Sequence, residues 1–553
     1  MSSRFRRQVP STDQSSKSVY TRRVATALEL RHALERARNT AAPTADTVDI
    51  PAKGLMSIAS VASESSMGSA LVLDARVAFK QSEHDWLENH RNDVVRLPLH
   101  TKKKDSPQPT RFLKNLPPLG TVYEPQRPAT QRLKAIINEH YYKANFESAI
   151  QRVSQQKIPE LDEIQTLDQF YCYVDLLVAW IPEIRYWEEN GELLHERTVY
   201  LRIMQLYYYF NQPELEALQS PVAPVEGAKL SPISAWLRDF AVEWGAFLGT
   251  KESSKQLGSF KYAPEYSWQD YEKEPQQYAT FNEFFAREFK DIEVQRPVAS
   301  ASDDRVIVFP AESTFVGQWA VSTPVGEPLR ATASIVVKHI QWPIDELLKD
   351  SLYAVDFLGG LFTHSFLNTY DYHRQHTPVE GRVLEAKFIP GQVYLEVNLK
   401  DDGEDANGEL ARAVIPQRYL DAEDQTGYQF VQCRGLLVLE SPIGKVAILP
   451  MGMAQVSSVV FVTPKADGQE PIVLSPQEKE NLTYQQQVDL LNKRLEEKLV
   501  GKRFDKGEMF SFFQFGGSDC VMVFERKANV NVTATVGVHY SVRSQFGVSN
   551  INR

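Results

Sequence analysis

Three short segments in the second half of this 553-residue chain carry the side chains that could do chemistry. The first, HSFLNTYDYHRQHTPVEGRV, gathers His364, His373 and His376, three of the chain's eleven histidines, within thirteen residues. Imidazoles can trade protons near neutral pH or bind a metal. A metal site needs a further ligand at suitable spacing, and none is evident; histidines packed in a tight loop would give the same pattern. The second, FFQFGGSDCVMVFE, sets Gly516-Gly517 ahead of Ser518 between strand-like runs. A double glycine frees the backbone for strained dihedrals at the bond before a serine, although a plain hairpin turn uses the same residues. It is not the GxSxG elbow of the hydrolases, because Asp519 is not followed by glycine. The third, FPAES, places Glu312 at the end of the run RVIVFP.

The elements that must position these groups change in style near residue 300. From about residue 83 to 252 the apolar residues recur at helical spacing, as in TQRLKAIINEHYYKANFESAIQRV, where Leu133, Ile136, Ile137, Tyr141, Phe146 and Ile150 predict one amphipathic helix with Thr130 as its N-cap. LDQFYCYVDLLVAW and TVYLRIMQLYYYF predict further helices. LSPISAWLRDFAVEWGAFLG predicts another, with Ser231 as cap, Pro232 at its first position and Gly249 past its end. Its stripe Trp236, Phe240, Trp244 and Phe247 reads as packing core. After residue 300, short runs such as VLEAKFI, VYLEVNL, GLLVLE, VAILPMGMAQV and VMVFERKANVNV, separated by turn residues, predict an antiparallel β domain with a hairpin at Ser441–Lys445. WPIDELLKDS is expected to be one of its few helices, and DDGEDANG (401–408) a solvated acidic loop without EF-hand spacing.

Composition sets outer bounds. With 61 basic and 71 acidic residues the formal charge is −10, which argues against a nucleic-acid partner. Cys172, Cys433 and Cys520 lie far apart without a CxxC pair, so neither a disulfide framework nor a zinc–thiolate site is expected. The apolar run from Asp175 is broken at Pro182, well short of the roughly 18 residues of a membrane span. Residues 1–25, rich in Ser and Arg, read as a disordered basic tail or a mitochondrial presequence, and 40–70 as linker.

Taken together the segments resemble the phosphatidylserine decarboxylase family of pyruvoyl-dependent decarboxylases, in particular its soluble fungal branch that acts on L-tryptophan and other aromatic amino acids. The matching stretches are FNEFFAREFK with Arg296-Pro297, FPAES, GGLFTHSFLNTYDYHRQHTPVEG, IPGQVYLEV and FQFGGSDCVMVFE, in the family's order over about residues 278–540. The resemblance implies an α+β fold: a tail and linker at 1–75, a helical N-terminal domain at 76–275, and a mainly antiparallel β catalytic domain at 276–553. It implies a proenzyme that cuts itself between Gly517 and Ser518, converting Ser518 to a covalent pyruvoyl group that forms a Schiff base with the substrate amine. His376 is then the base, Glu312 its orienter in place of the family's usual aspartate, and His373 the proton donor. No metal is implied. Asp519 is a second departure, at a position where small or hydroxyl residues are commoner.

A free L-amino acid is the expected substrate, with Phe362, Phe366 and Tyr394 either lining a pocket for an aromatic side chain or packed as core. The alternative is phosphatidylserine, which would require membrane contact through basic segments such as Lys102–Lys104. A non-enzymatic scaffold and a serine hydrolase using Ser518 complete the alternatives. A cytoplasmic location, or a mitochondrial one if the N-terminus is a presequence, and a homodimer are further expectations.

Overall fold

A computed structural model of the chain describes residues 112–551, apart from 114, 190–191, 223–228, 323–333, 338–339, 403–416, 423–426, 428–429 and 453–458. The predicted tail and linker, Lys102–Lys104 and most of the acidic loop lie outside the described residues.

The helical half is built from α1 (Pro128–Glu139), α2 (Lys143–Gln155), α3 (Leu167–Val178), α4 (Thr198–Phe210) and α5 (Pro232–Leu248). The single helix expected from Thr130 onward is therefore two. Tyr141 breaks it with φ +60°, a left-handed conformation that costs a tyrosine energy and ends an α-helix. Thr130 does not cap α1: it sits inside the first turn, fully buried, with its hydroxyl unpartnered. Ser231 does cap α5, its hydroxyl accepting from the Ser234 N–H at 3.1 Å, with Pro232 at the first helical position. Helix α4 is buried all round, which is why its sequence shows no polar face. Trp236, Phe240 and Trp244 of α5 are core, as their spacing predicts. No helix of the described residues is long and apolar enough to cross a membrane.

A short helix α6 (Phe281–Phe285) leads into the β half. Its strands are β1 (Val306–Val308), β2 (Ser313–Ala320), β3 (Leu361–Phe366), β4 (Arg374–His376), β5 (Gly381–Ile389), β6 (Arg434–Ser441), β7 (Gly444–Gly452), β8 (Val459–Phe461), β9 (Arg503–Phe504), β10 (Met509–Phe513), β11 (Gly517–Phe524), β12 (Val530–Val532), β13 (His539–Tyr540) and β14 (Gln545–Ser549). Eight of them form one sheet in the order β9-β5-β6-β7-β11-β3-β2-β13, with every neighbour antiparallel. Two three-stranded sheets, β8-β10-β4 and β12-β14-β1, lie beside it, and three two-stranded ribbons pair Tyr186–Glu189 with Glu192–His195, Ser334–Val337 with Ile340–Pro343, and Asn398–Asp402 with Gln417–Asp421. The hairpin expected at Ser441–Lys445 joins β6 to β7. VYLEVNL is strand only at its end, within Asn398–Asp402. Of WPIDELLKDS, only Ile344–Leu348 is helical.

Alternation along β11 divides the core. Cys520, Met522 and Phe524 pack with the helices, whereas Val521 and Val523 face a second cluster containing Phe362, Met451 and Trp342. The strand that begins at the Gly517–Ser518 bond is thus flanked by β7 and β3 and has core on both faces.

Candidate active site

The Gly517–Ser518 bond opens β11 just after a turn at Gln514–Gly516. Gly516 has φ +107°, a conformation that L side chains rarely adopt, so the first of the two glycines is needed by the turn itself. The ladder with β7 also shifts here: Met451 pairs with Asp519, but Gly452 pairs with Gly517. The bond therefore lies at a register irregularity in an otherwise regular central strand.

His373 is joined to the strand that leads into this turn. Its carbonyl accepts the Phe513 N–H at 2.8 Å, and its ring stacks on Phe285 at 3.7 Å. Phe285 in turn meets Phe515 edge-on at 5.5 Å. The imidazole is fully buried, and neither ring nitrogen makes a hydrogen bond of good geometry, although the backbone of Asp371, Asn368 and Phe285 lies near the ring. Burial and the nearby Arg287 guanidinium hold its pKa well below the ordinary imidazole value, against a weaker opposing pull from the backbone of Asp371, Asn368 and Phe285. His373 is therefore neutral across the physiological range. Helix α5 reaches the same turn: Trp244 lies 5.6 Å from Phe515, and Asn282 bridges the Gly245 carbonyl (3.0 Å) and the Phe515 N–H (3.4 Å).

His376 sits three residues along β4, opposite Met509 rather than Phe513. Its Nδ1 lies 2.8 Å from the Gly507 carbonyl, which can only accept, so Nδ1 carries the proton. Nε2 is left unprotonated and accepts from the Tyr372 hydroxyl at 3.2 Å. Burial, with Arg543 second, pushes its pKa down to about 3. Gly507 has φ +77°, and a side chain there would strike Val298, so the turn that presents this carbonyl requires glycine.

Glu312 does not orient His376, contrary to the sequence expectation. No hydrogen bond joins them; Glu312 instead takes a bidentate grip from Arg296, at 2.6 Å from Nη2 and 2.9 Å from Nε, and accepts the Val542 N–H at 3.2 Å. The glutamate's extra methylene is used to reach a guanidinium, and a backbone carbonyl holds the histidine. Glu312→Gln should therefore still allow chain cleavage at close to the wild-type rate, read by intact mass. It should destabilise the fold by on the order of 1–3 kcal/mol, below the cost of breaking a fully buried pair because Arg296 is 20% exposed. A chain left uncut would restore Glu312 as orienter.

Two further carboxylate–imidazole pairs flank the site. His364 Nε2 lies 2.5 Å from Asp519 Oδ1, both side chains fully buried, so Asp519 is not turned to solvent. His539, which the sequence reading did not single out, lies 3.0 Å from Asp371 of the DYH segment; a histidine 163 residues beyond His376 carries no local signal. Burial alone would lower the His539 pKa, but its hydrogen bond to Asp371 and that group's charge outweigh it and raise the value. Stability from this pair should thus be full below about pH 6.5, the unfolded imidazole's value, and be lost as pH rises through the higher folded value. With His539 40% exposed, the effect should stay within about 1 kcal/mol. Thermal midpoints across this range should fall in the wild type and flatten in His539→Gln; parallel slopes would exclude the pair as their source.

Phe362 is fully buried in the second cluster, whereas Phe366 and Tyr394 are partly buried against the first. Among the described residues, no group of three His, Cys, Asp or Glu side chains could hold a metal ion.

Residues 281–548 match the family model described as phosphatidylserine decarboxylase. A phosphatidylserine decarboxylase proenzyme of Fusobacterium nucleatum is 24% identical over 290 residues, covering 52% of this chain and 74% of that protein. Decarboxylase iboD of Amanita muscaria is 24% identical over 397 residues, covering 67% of this chain and 97% of that protein. A Vibrio vulnificus phosphatidylserine decarboxylase proenzyme is 34% identical over 122 residues, 39% of its length. With the Gly-Gly-Ser turn between β10 and β11 and strand β4 paired to β10, these matches show that residues 281–548 form a domain of the phosphatidylserine decarboxylase family of carboxy-lyases.

Proposed function

We propose that the chain is a self-processing, pyruvoyl-dependent decarboxylase, cut between Gly517 and Ser518, that acts on a free L-amino acid. The observation that carries this reading is the position of the Gly-Ser bond, at the head of a central strand beside a buried, unsatisfied imidazole. Buried polar atoms rarely go without a partner. The single N–H that a neutral His373 carries near this turn is a donor that a reacting carbonyl formed there could accept from, so the residues present fit a pyruvoyl group.

In the cleavage, Ser518 Oγ attacks the Gly517 carbonyl and gives its proton to His376 Nε2, the nitrogen left unprotonated by the Nδ1–Gly507 bond, in place of the hydrogen bond from Tyr372. The C–N bond breaks and the proton passes to the departing Ser518 nitrogen. Loss of the Ser518 α-proton then expels the Gly517 carboxylate, and water replaces ammonia to leave the pyruvoyl group. That group supplies an electron sink for the pair left when carbon dioxide departs. His373, neutral before substrate binds, takes a proton from the substrate ammonium and returns it at the reacting centre after carbon dioxide leaves, and the surrounding Phe285, Phe513 and Phe515 keep water from it.

An amino acid is favoured over a lipid on the resemblance of the motif segments to the family's soluble branch; the similarity to iboD, named only as a decarboxylase, spans more of this chain than residues 281–548 contain and so reaches into the helical half. Aromatic amino acids are the first class to test. The names of the bacterial relatives favour the alternative, phosphatidylserine. Intact mass under denaturing conditions should show fragments of 517 and 36 residues, the small one blocked by a pyruvoyl group. Carbon dioxide release from tryptophan and tyrosine, set against release from phosphatidylserine vesicles, decides between the substrates. A single uncut mass overturns the whole reading.

A further inference from the structure

The Gly517–Ser518 bond lies between two features of the sheet. On its N-terminal side are the Gln514–Gly516 turn, with Gly516 at φ +107°, and the register shift opposite Met451 and Gly452. On its C-terminal side the first described side chain is Asp519, whose carboxylate meets His364 Nε2 at 2.5 Å with both groups fully buried. The two are cross-strand diagonal neighbours: Asp519 pairs with Phe366, and His364 with Val521. They share the face of Val521 and Val523, away from that of Cys520 and Phe524.

A buried carboxylate–imidazole pair is costly to desolvate and is seldom kept for stability, since apolar residues of similar volume serve a core at least as well. What such a pair fixes is position. Asp519 also contributes the amide nitrogen that carries the acyl group of residue 518, both before the cut and after it. Once the bond is broken the turn no longer tethers this end of the strand. The nearest remaining side-chain anchor is the one to β3.

We infer that His364 and Asp519 are positioning residues, a clamp that fixes the head of β11 so that the Gly517–Ser518 bond is held for cleavage and the carbonyl formed from Ser518 stays in place afterwards. The inference rests on the self-processing reading proposed above. It requires no additional reactant, because the pair does not itself take part in bond making.

The test follows cleavage of the full chain over time after cell-free synthesis, with intact mass as the readout. His364→Ala and Asp519→Ala should each lengthen the half-time of cleavage by on the order of 10-fold or more, the scale of loss expected when reacting groups shift by a fraction of an ångström. The double variant His364→Gln/Asp519→Asn, in which the Gln amide can donate to the Asn carbonyl, should recover most of that loss. Thermal midpoints of the same substitutions placed on Ser518→Ala, which cannot be cut, separate loss of position from loss of fold. Slow single variants, a rescued double variant and midpoints that do not track the cleavage rates support the clamp. Single variants that cut at the wild-type rate overturn it, as does a failed rescue with midpoints falling in parallel with cleavage. A wild-type chain that is never cut overturns the self-processing reading itself, a result distinct from either.

Discussion

Replacing Ser518 by alanine is expected to leave one uncut chain that releases no carbon dioxide from any substrate. In the proposed mechanism alanine lacks the oxygen that would attack the Gly517 carbonyl, and without the cut residue 518 would offer no carbonyl group to react. The effect should be total, since the same atom is needed both to break the chain and to form the reacting group. The substitution should cost little stability: the backbone at 517 and 518 is already part of β11, with Gly517 paired to Gly452 of β7 and Asp519 to Met451, and needs no cut to close the sheet. A folded, uncut Ser518→Ala protein with no turnover is therefore the outcome sought. Cleavage elsewhere, or residual decarboxylation above a mock preparation, would show that the chemistry belongs to another group.

The second large effect is expected at His373. Removing the imidazole in His373→Gln should lower carbon dioxide release by about 10²–10⁴-fold, the usual contribution of a positioned proton-transfer group. Turnover is normalised to cleaved protein, so that a defect in cutting is not counted as one in catalysis. The pH dependence adds a constraint. Because burial and Arg287 hold the His373 pKa well below its ordinary value, the group stays neutral above that range, and its titration should leave no acid limb near pH 6.5 in the wild-type profile. An acid limb at that pH that vanishes in His373→Gln would mean that the ring is solvated during turnover and that its burial is not functional.

The 36-residue fragment should survive the cut in place. Its strands are distributed through the larger piece: β11 lies between β7 and β3, β13 pairs with β2, and β14 with β1. Glu312 accepts from Val542, while Arg543 donates to the Gly507 carbonyl at 2.7 Å and to Glu293 at 3.0 Å. These contacts also explain why the site draws on residues so far apart in the chain.

Local pattern in the sequence was enough for the segments and for much of the architecture. Residue type and spacing picked out His364, His373, His376, Glu312 and the Gly-Gly-Ser turn; period-3.6 runs gave α3 to α5, and short β-rich runs gave the antiparallel sheet. Capping chemistry was legible at Ser231, where proline follows the cap, but not at Thr130, where the helix begins two residues earlier at Pro128. What local pattern does not contain is pairing between segments. Arg296 and Glu312 both stood in quoted motifs, yet only their convergence shows that the glutamate is held by the guanidinium and leaves His376 to the Gly507 carbonyl. His364 with Asp519 and Asp371 with His539 are joined across 155 and 168 residues. The physical reason is that a histidine's protonation state, tautomer and reach depend on which donors, acceptors and rings surround it after folding. The sequence by itself determined which groups are available to the chemistry; the register of β3, β7 and β11, and the turn at Gly507, decided which of them meet.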